Sequence, residues 1–83
     1  MARYSLSIGA LAEADLLAIP FPHRRQINQK IMSLRDAPRP EGWVQIGTEG
    51  GAAVVMHGYE LLYWIDDDAL GIEVVAILRA ASP

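Results

Sequence analysis

The chain has 83 residues, no cysteine and a formal net charge of −3 at pH 7. This length suits one small domain, and the lack of cysteine excludes a disulfide framework, a thiolate zinc site and a cysteine nucleophile. Hydrophobic residues make up 52% of the sequence and charged residues 20%, a balance that excludes a disordered tail. We predict that residues 1–83 form a single domain.

Alternation and helical spacing predict one strand and two helices in the first forty residues. Apolar and polar residues alternate over Arg3–Ile8, which is typical of a half-buried strand. Apolar residues spaced as on one helix face predict helices over Ala10–Ile19 and roughly His23–Arg35. Pro20 and Pro22 separate them so closely that we expect an antiparallel helical hairpin. The apolar faces are formed by Ala12, Leu16 and Ile19, and by Ile27, Ile31 and Leu34.

The remaining residues have the period of strands. A proline-rich loop at residues 36–42 comes first, and glycine-containing or aspartate-rich turns separate the strands. We predict strands over Trp43–Thr48, Ala52–His57, Tyr59–Asp66 and Ile72–Leu78, followed by a short tail at residues 79–83. The economical arrangement is a two-layer α+β domain, in which an N-terminal strand and a helical hairpin pack with a mostly antiparallel sheet of four to five strands.

Apolar side chains fall on both faces of the predicted strand Tyr59–Asp66. One face carries Leu61, Tyr63 and Ile65, while Leu62 and Trp64 lie on the other. The helical hairpin covers only one face, so the second is expected to bind a protein partner or a second copy of the chain. The predicted partner-binding residues are Trp43, Val55, Leu62 and Trp64, although the tryptophans also suit a core position.

Charge is divided unevenly along the chain. Residues 1–40 carry a net charge of +3, and residues 41–83 carry −6. Phosphate contacts depend on lysine and arginine, so a nucleic-acid or acidic-partner contact is expected from the second helix, through Arg24, Arg25 and Lys30. A solvated polar face of an amphipathic helix is the commoner explanation of the same residues.

Neither a metal site nor a membrane contact is expected. Asp66-Asp67-Asp68 is typical of a hairpin loop, and adjacent residues on an extended backbone point apart, so we predict no metal and no cofactor. The apolar stretch Val74–Leu78 is far below the ~20 residues that span a bilayer, and no apolar signal segment follows Met1. We predict a cytoplasmic protein.

Four short motifs follow one another along the chain. They are Ala12-x-x-Asp15-Leu16-x-x-Ile19-Pro20, Ile27-x-x-x-Ile31-x-x-Leu34, Pro38-Arg39-Pro40-x-Gly42 and the run Gly58-Tyr59-Glu60-Leu61-Leu62-Tyr63-Trp64-Ile65-Asp66-Asp67. Their order and spacing resemble the RelE/ParE toxin superfamily, whose corresponding strand reads G-D-Y-R-I-L-Y-x-I-D. The resemblance covers almost the whole chain. It implies a bacterial toxin of a type II toxin–antitoxin module, of the plasmid-stabilisation type, neutralised by an antitoxin protein.

The resemblance implies one of two activities. RelE-like members cleave messenger RNA in the ribosome, mainly with lysine and arginine on the sheet, whereas ParE-like members inhibit DNA gyrase without nuclease chemistry. In this chain the family's sheet arginines correspond to Ala53, Val55 and Glu60, and no tyrosine follows the last strand. The loss of several cations is expected to abolish phosphoryl chemistry. We therefore predict a toxin that acts by binding.

Two alternatives stay open. One is a ribosome-dependent messenger-RNA endoribonuclease with a divergent site, in which His57 supplies the base and Arg79 the positive charge. The other is a detoxified or repurposed phage or plasmid interaction module on the same fold, which is not toxic and forms a homodimer or a stable complex. A turn histidine and a solvated arginine are the plain structural explanations of His57 and Arg79.

Overall fold

The computed structural model of the chain describes residues 3–80, in which two helices pack with a five-stranded mixed sheet. The elements are β1 (Ser5–Ile8), α1 (Ala10–Leu17), α2 (Phe21–Ser33), β2 (Val44–Ile46), β3 (Gly51–Met56), β4 (Tyr59–Asp66) and β5 (Gly71–Arg79). The sheet order is β1-β5-β4-β3-β2, with β1 parallel to β5 and all other neighbours antiparallel. The predicted α+β architecture is confirmed.

Several predicted boundaries were wrong by a few residues. Helix α2 begins at Phe21 rather than His23, because Pro22 fits the first helical turn, where a backbone N–H has no partner. Strand β2 has three residues instead of six, since Gly47 takes a φ of 69° and turns the chain. Strand β5 extends through Arg79, and the last three residues of the predicted tail lie outside the described residues.

The helical faces predicted from spacing form the core. Ile27, Ile31 and Leu34 are completely buried, and Ala12 of α1 is buried beside them. From the sheet, Leu61 and Val74 are the largest fully buried side chains. The core therefore lies between the helices and one face of the sheet, and it stabilises the fold by removing these side chains from water. Neither helix is long and apolar enough to cross a membrane.

A bulge in β5 changes which of its residues face the core. Leu62 pairs with Ala76 and Tyr63 with Val74, so Val75 is left without a cross-strand partner. Side-chain alternation restarts after this extra residue. Ile77 consequently faces the core, and Leu78 faces away from the helices.

Helix α1 is attached to β5 next to this bulge. The carboxylate of Asp15 accepts a hydrogen bond from the backbone N–H of Ile77, with Oδ2 and N 3.0 Å apart. Gly9, just before the helix, donates its backbone N–H to the carbonyl of Val74 at 2.9 Å. These two bonds hold α1 over the stretch of β5 that contains the bulge.

Candidate interaction site

The sheet has one face turned away from the helices, which we call the outer face. Cross-strand pairing assigns its members, because residues opposite each other in a ladder point to the same side. On β2–β5 they include Val44 and Ile46 of β2, Ala53 and Val55 of β3, Glu60, Leu62, Trp64 and Asp66 of β4, and Glu73, Ala76 and Leu78 of β5. Three of the four predicted partner-binding residues thus share this face; Trp43 does not.

Large apolar side chains of the outer face are exposed to solvent. Val55 is 58% exposed and Trp64 47%, and Val44, Ile46 and Leu78 are similarly exposed. Ala53 and Ala76, between these residues in the sheet, are almost fully buried. A concentration of exposed apolar side chains on neighbouring strands is typical of a surface that binds another protein.

The only charged outer-face positions of β2–β5 are acidic. Glu60 lies between Val55 and Leu78, and Glu73 lies next to Trp64. Asp66 continues the same side of β4 and is exposed. Within residues 3–80, no lysine or arginine occupies an outer-face position of the strands.

Trp43 lies in a cleft beside the outer face, with a volume of about 700 Å³. The half-buried Trp43 and the exposed Trp64 both line this cleft. The guanidinium of Arg39 sits 5.6 Å from the centre of the Trp43 ring, within the range of a cation–π contact. The cleft thus connects Trp43 with the outer face through Trp64.

Glycine is required where the β2–β3 turn meets the end of β4. Gly50 has a φ of 100°, and its carbonyl accepts a hydrogen bond from the N–H of Ile65 at 2.8 Å. A Cβ on Gly50 would lie 2.5 Å from the carbonyl oxygen of Ile65, far inside van der Waals contact. The absence of a side chain lets the turn approach β4 and form one wall of the cleft.

A polar network fixes the cleft's other wall. Arg39 donates two hydrogen bonds to the carboxylate of Asp67, at 2.8 and 3.3 Å. The hydroxyl of Tyr4 donates to the same carboxylate at 2.7 Å. Because the Tyr63 hydroxyl also donates to the carbonyl of Pro38 at 2.8 Å, the proline-rich loop is held against β4. Burial raises the pKa of Tyr63, so this hydroxyl stays protonated as a donor.

We expect this network to lose its stabilising effect at both ends of the pH scale. Hydrogen bonds from Arg39, and secondarily from Tyr4, lower the pKa of Asp67, so its contribution is present when it is ionised and is lost as the pH falls below about 4. The bond to Asp67 raises the pKa of Tyr4, so the hydroxyl's contribution is lost as the pH rises above about 10. Asp67→Asn should flatten the acid limb of a plot of Tm against pH, measured by circular dichroism.

Asp68→Asn is the matched control for that measurement. Asp68 is exposed, and its carboxylate makes no hydrogen bond within the described residues. The Tm profile of this variant should overlay that of the wild type. An acid limb equally steep in wild type and Asp67→Asn would contradict the role of the network.

The three adjacent aspartates have separate positions rather than a common ligand-binding centre. Asp66 accepts a hydrogen bond from the N–H of Ala69 at 3.0 Å, which closes the β4–β5 turn. Asp67 is held by Arg39 and Tyr4. Among residues 3–80, no three or more histidine, cysteine or acidic side chains are grouped as metal ligands would be.

The cations predicted on the second helix differ in what they contact. Arg24 is half-buried and donates hydrogen bonds to the carbonyls of Leu17 and Ile19, at 3.0 and 3.1 Å. These carbonyls lie at the end of α1, where helical partners are lacking, so Arg24 has a structural role. Arg25 is exposed and Lys30 is partly exposed. A contact of these residues with nucleic acid or an acidic partner stays a prediction.

His57 and Arg79 lie at one end of the sheet, but not on the outer face. His57 occupies the two-residue turn between β3 and β4 with a φ of 48°. Arg79 pairs with Tyr59, and both line a small cleft with Asp15 and Ile19 of the helix side. The backbone N–H of Ala80 donates to the carbonyl of Gly58 at 2.9 Å, which joins the two strand ends.

Solved structures of toxin–antitoxin proteins share this architecture. A chain of the toxin–antitoxin complex RelBE2 from Mycobacterium tuberculosis has a TM-score of 0.84 and 21% identity, with 99% of this chain and 97% of that chain covered. The archaeal RelE–RelB complex from Pyrococcus horikoshii OT3 gives 0.87 at 17% identity, over 100% of both chains. The chromosomal ParDE system from P. aeruginosa gives 0.79 at 15%, over 98% and 100%.

The chain has the RelE/ParE fold. The sequence itself matches no protein-family model and no curated protein. The structural expectation that followed from the four motifs is therefore confirmed. At these identities the likeness concerns the fold, so the activity has to be argued from the residues of this chain.

On this RelE/ParE fold, the positions that the resemblance assigns to sheet arginines all face outward. Ala53 and Val55 lie on β3, and Glu60 lies opposite Val55 on β4. The outer face of this chain thus presents an alanine, a valine and a carboxylate where the family motif has cations. This arrangement favours an apolar contact and disfavours a phosphate.

The sequence alone did not identify three large apolar residues of this surface. Val44 and Ile46 were within a predicted strand, but their side depends on the pairing of β2 with β3. Leu78 faces outward only because the bulge at Val75 reverses the alternation. The alternation of Val44 and Ile46 with Gln45 in the sequence could have placed these two residues on one face. No comparable pattern in the sequence predicts the bulge at Val75.

Proposed function

We propose that the chain is the toxin component of a type II toxin–antitoxin module and that it acts by binding a protein rather than by cleaving RNA. The observation that carries the proposal is the outer face, which combines exposed apolar side chains with Glu60 and Glu73 and has no lysine or arginine among the described residues. The shared fold with RelE and ParE chains supports the toxin role.

The charge of the outer face favours binding over RNA cleavage, the two activities that the resemblance implies. Cleavage through a ribose 2′-hydroxyl needs positive charge beside the phosphorane, and one missing donor typically costs about 3 kcal/mol in the barrier. Carboxylates at this surface would raise the barrier and repel RNA. Binding of a protein target, as ParE-like toxins bind gyrase, needs none of these cations.

The partners and setting follow from the same proposal. The similar structures pair RelE with RelB and ParE with ParD, and we infer an antitoxin protein for this chain as well. Such a module would act in the cytoplasm of a bacterial host. It would stabilise a plasmid because a cell that loses the plasmid would also lose the antitoxin and would be inhibited by the toxin. A protein target such as gyrase is favoured over the ribosome.

Controlled induction in a bacterial host tests the proposal directly. We expect growth to stop after induction, while mapping of RNA 5′ ends finds no new cuts at codon boundaries in messenger RNA. The matched variant is His57→Ala with Arg79→Ala, which removes both groups of the alternative ribonuclease site. This double variant should fold and should still arrest growth, because neither residue lies on the outer face.

Two outcomes would contradict the proposal in different ways. Codon-boundary cuts that disappear in the double variant would establish a divergent ribonuclease instead of a binding toxin. Continued growth with soluble, folded protein in the cells would favour a repurposed interaction module. Circular dichroism of the purified variant separates loss of the active groups from loss of the fold.

A further inference from the structure

An apolar band crosses the outer face from β5 to β2. Cross-strand pairing places Ala76, Leu62, Ala53 and Val44 side by side in one row across four strands. Larger side chains stand on either side of this row, namely Trp64 and Ile46 on one side and Leu78 and Val55 on the other. The central row is continuous because each of its members pairs with another apolar residue, and each larger side chain lies two residues away from the row along its own strand.

Carboxylates flank the band on both sides. Glu60 lies between Val55 and Leu78 in the ladder, and Glu73 is paired with Trp64 on the opposite side. Glu73 is exposed and Glu60 is partly exposed, so both reach solvent at the border of the apolar residues. A partner that buries the band must place positive or neutral groups against these two carboxylates.

We propose that the outer face binds an amphipathic segment of a protein partner, with apolar residues along its centre and lysine or arginine along its flanks. This inference rests on the proposed function, a toxin that acts by binding a protein. It adds the chemistry of the partner segment that the outer face recognises. Four strands spaced ~4.8 Å apart make a band ~14 Å wide. A helix of about ten residues spans that distance.

The flanking charge distinguishes this occupant from the two alternatives. A second copy of the chain would bring two sets of Glu60 and Glu73 together in one interface, which is unfavourable once water is excluded. A nucleic acid would present phosphates to the same carboxylates. A basic segment gains both from burial of the band and from the charge complementarity.

Two displayed peptide libraries test the inference. Both carry apolar residues at helical i, i+3, i+4 and i+7 positions; one has lysine and arginine on its flanks and the other aspartate and glutamate. We expect selection against the purified chain to enrich peptides from the basic library only. Trp64→Ala and the double variant Glu60→Lys with Glu73→Lys should each weaken the selected peptides at least tenfold by calorimetry.

The control carries the same charge change elsewhere. Glu13 of α1 and Glu41 of the proline-rich loop are exposed and belong to none of the outer-face strands, so Glu13→Lys with Glu41→Lys should bind with unchanged affinity. If Glu60→Lys alters the fold, Glu73→Lys alone tests the same charge reversal at an exposed position. NMR shifts induced by the peptide should map to β2–β5.

The inference is overturned by enrichment of the acidic library, by failure to enrich either library, or by equal loss of affinity in the control. Peptide-induced shifts on α1 and α2 would also overturn it. Concentration-dependent dimerisation in sedimentation, abolished by Trp64→Ala, would assign the band to a second copy. Growth arrest on induction without peptide binding would refute this inference and leave the proposed toxin function intact.

Discussion

Val54→Ala is expected to lower the free energy of unfolding by about 2–3 kcal/mol, whereas Val55→Ala should change it by less than about 0.5 kcal/mol. The two residues are adjacent and chemically identical. Val54 is 3% exposed and belongs to the core, while Val55 is 58% exposed on the outer face. Truncation at Val54 therefore leaves a cavity, and truncation at Val55 removes atoms that already contact water.

Urea unfolding followed by tryptophan fluorescence measures both values. Because the same two methyl groups are removed from neighbouring residues, each variant controls for the other's effect on strand propensity. A loss at Val55 as large as that at Val54 would mean that the outer face is covered in the free protein. That result would contradict an exposed binding surface.

Removal of the Asp15 carboxylate is the second change with a large expected effect. Asp15→Ala leaves the N–H of Ile77 without its partner beside the β5 bulge, which should cost about 1.5–3 kcal/mol of unfolding free energy. Asp15→Asn retains an oxygen acceptor at the same position and should recover most of this loss. The effect extends to the outer face, because Leu78 directly follows the strand residue that Asp15 holds.

Chemical denaturation and amide exchange test the two Asp15 variants together. Exchange at Ile77 should accelerate in Asp15→Ala while the amides of β3 keep their protection. Equal stability of Asp15→Ala and wild type would show that the bond to Ile77 contributes nothing. If Asp15→Asn is as unstable as Asp15→Ala, the charge rather than the acceptor oxygen is what matters.

The core could be predicted from sequence because its signals are local. Spacing alone predicts a helix face formed by Ile27, Ile31 and Leu34. Alternation predicts that Leu61, Tyr63 and Ile65 form the buried side of β4. Both predictions are confirmed. In contrast, the position of β1 beside β5 depends on residues far apart in sequence, and no local pattern specifies a parallel partner.

The candidate site was predicted in part for a related reason. Val55, Leu62 and Trp64 could be placed on one face, since β3 and β4 are joined by a two-residue turn that fixes their register. The contacts of Arg39 and Tyr4 with Asp67 join three segments that are distant in sequence. The residues around each partner show no pattern from which such a contact could be predicted. The predicted helix arginine Arg24 was assigned to a surface, although its guanidinium is engaged by the end of α1.

The place of β5 within the sheet has a consequence for synthesis of the protein. β5 is the last strand of residues 3–80, yet it lies between β1 and β4 and pairs with both. A nascent chain that stops before Gly71 therefore has no strand to which β1 can bind, and only β2, β3 and β4 can pair as local hairpins. Contacts between distant parts of a chain form late and slowly. The sheet is expected to close only after translation has passed β5, so that incomplete products have neither a finished core nor a complete outer face.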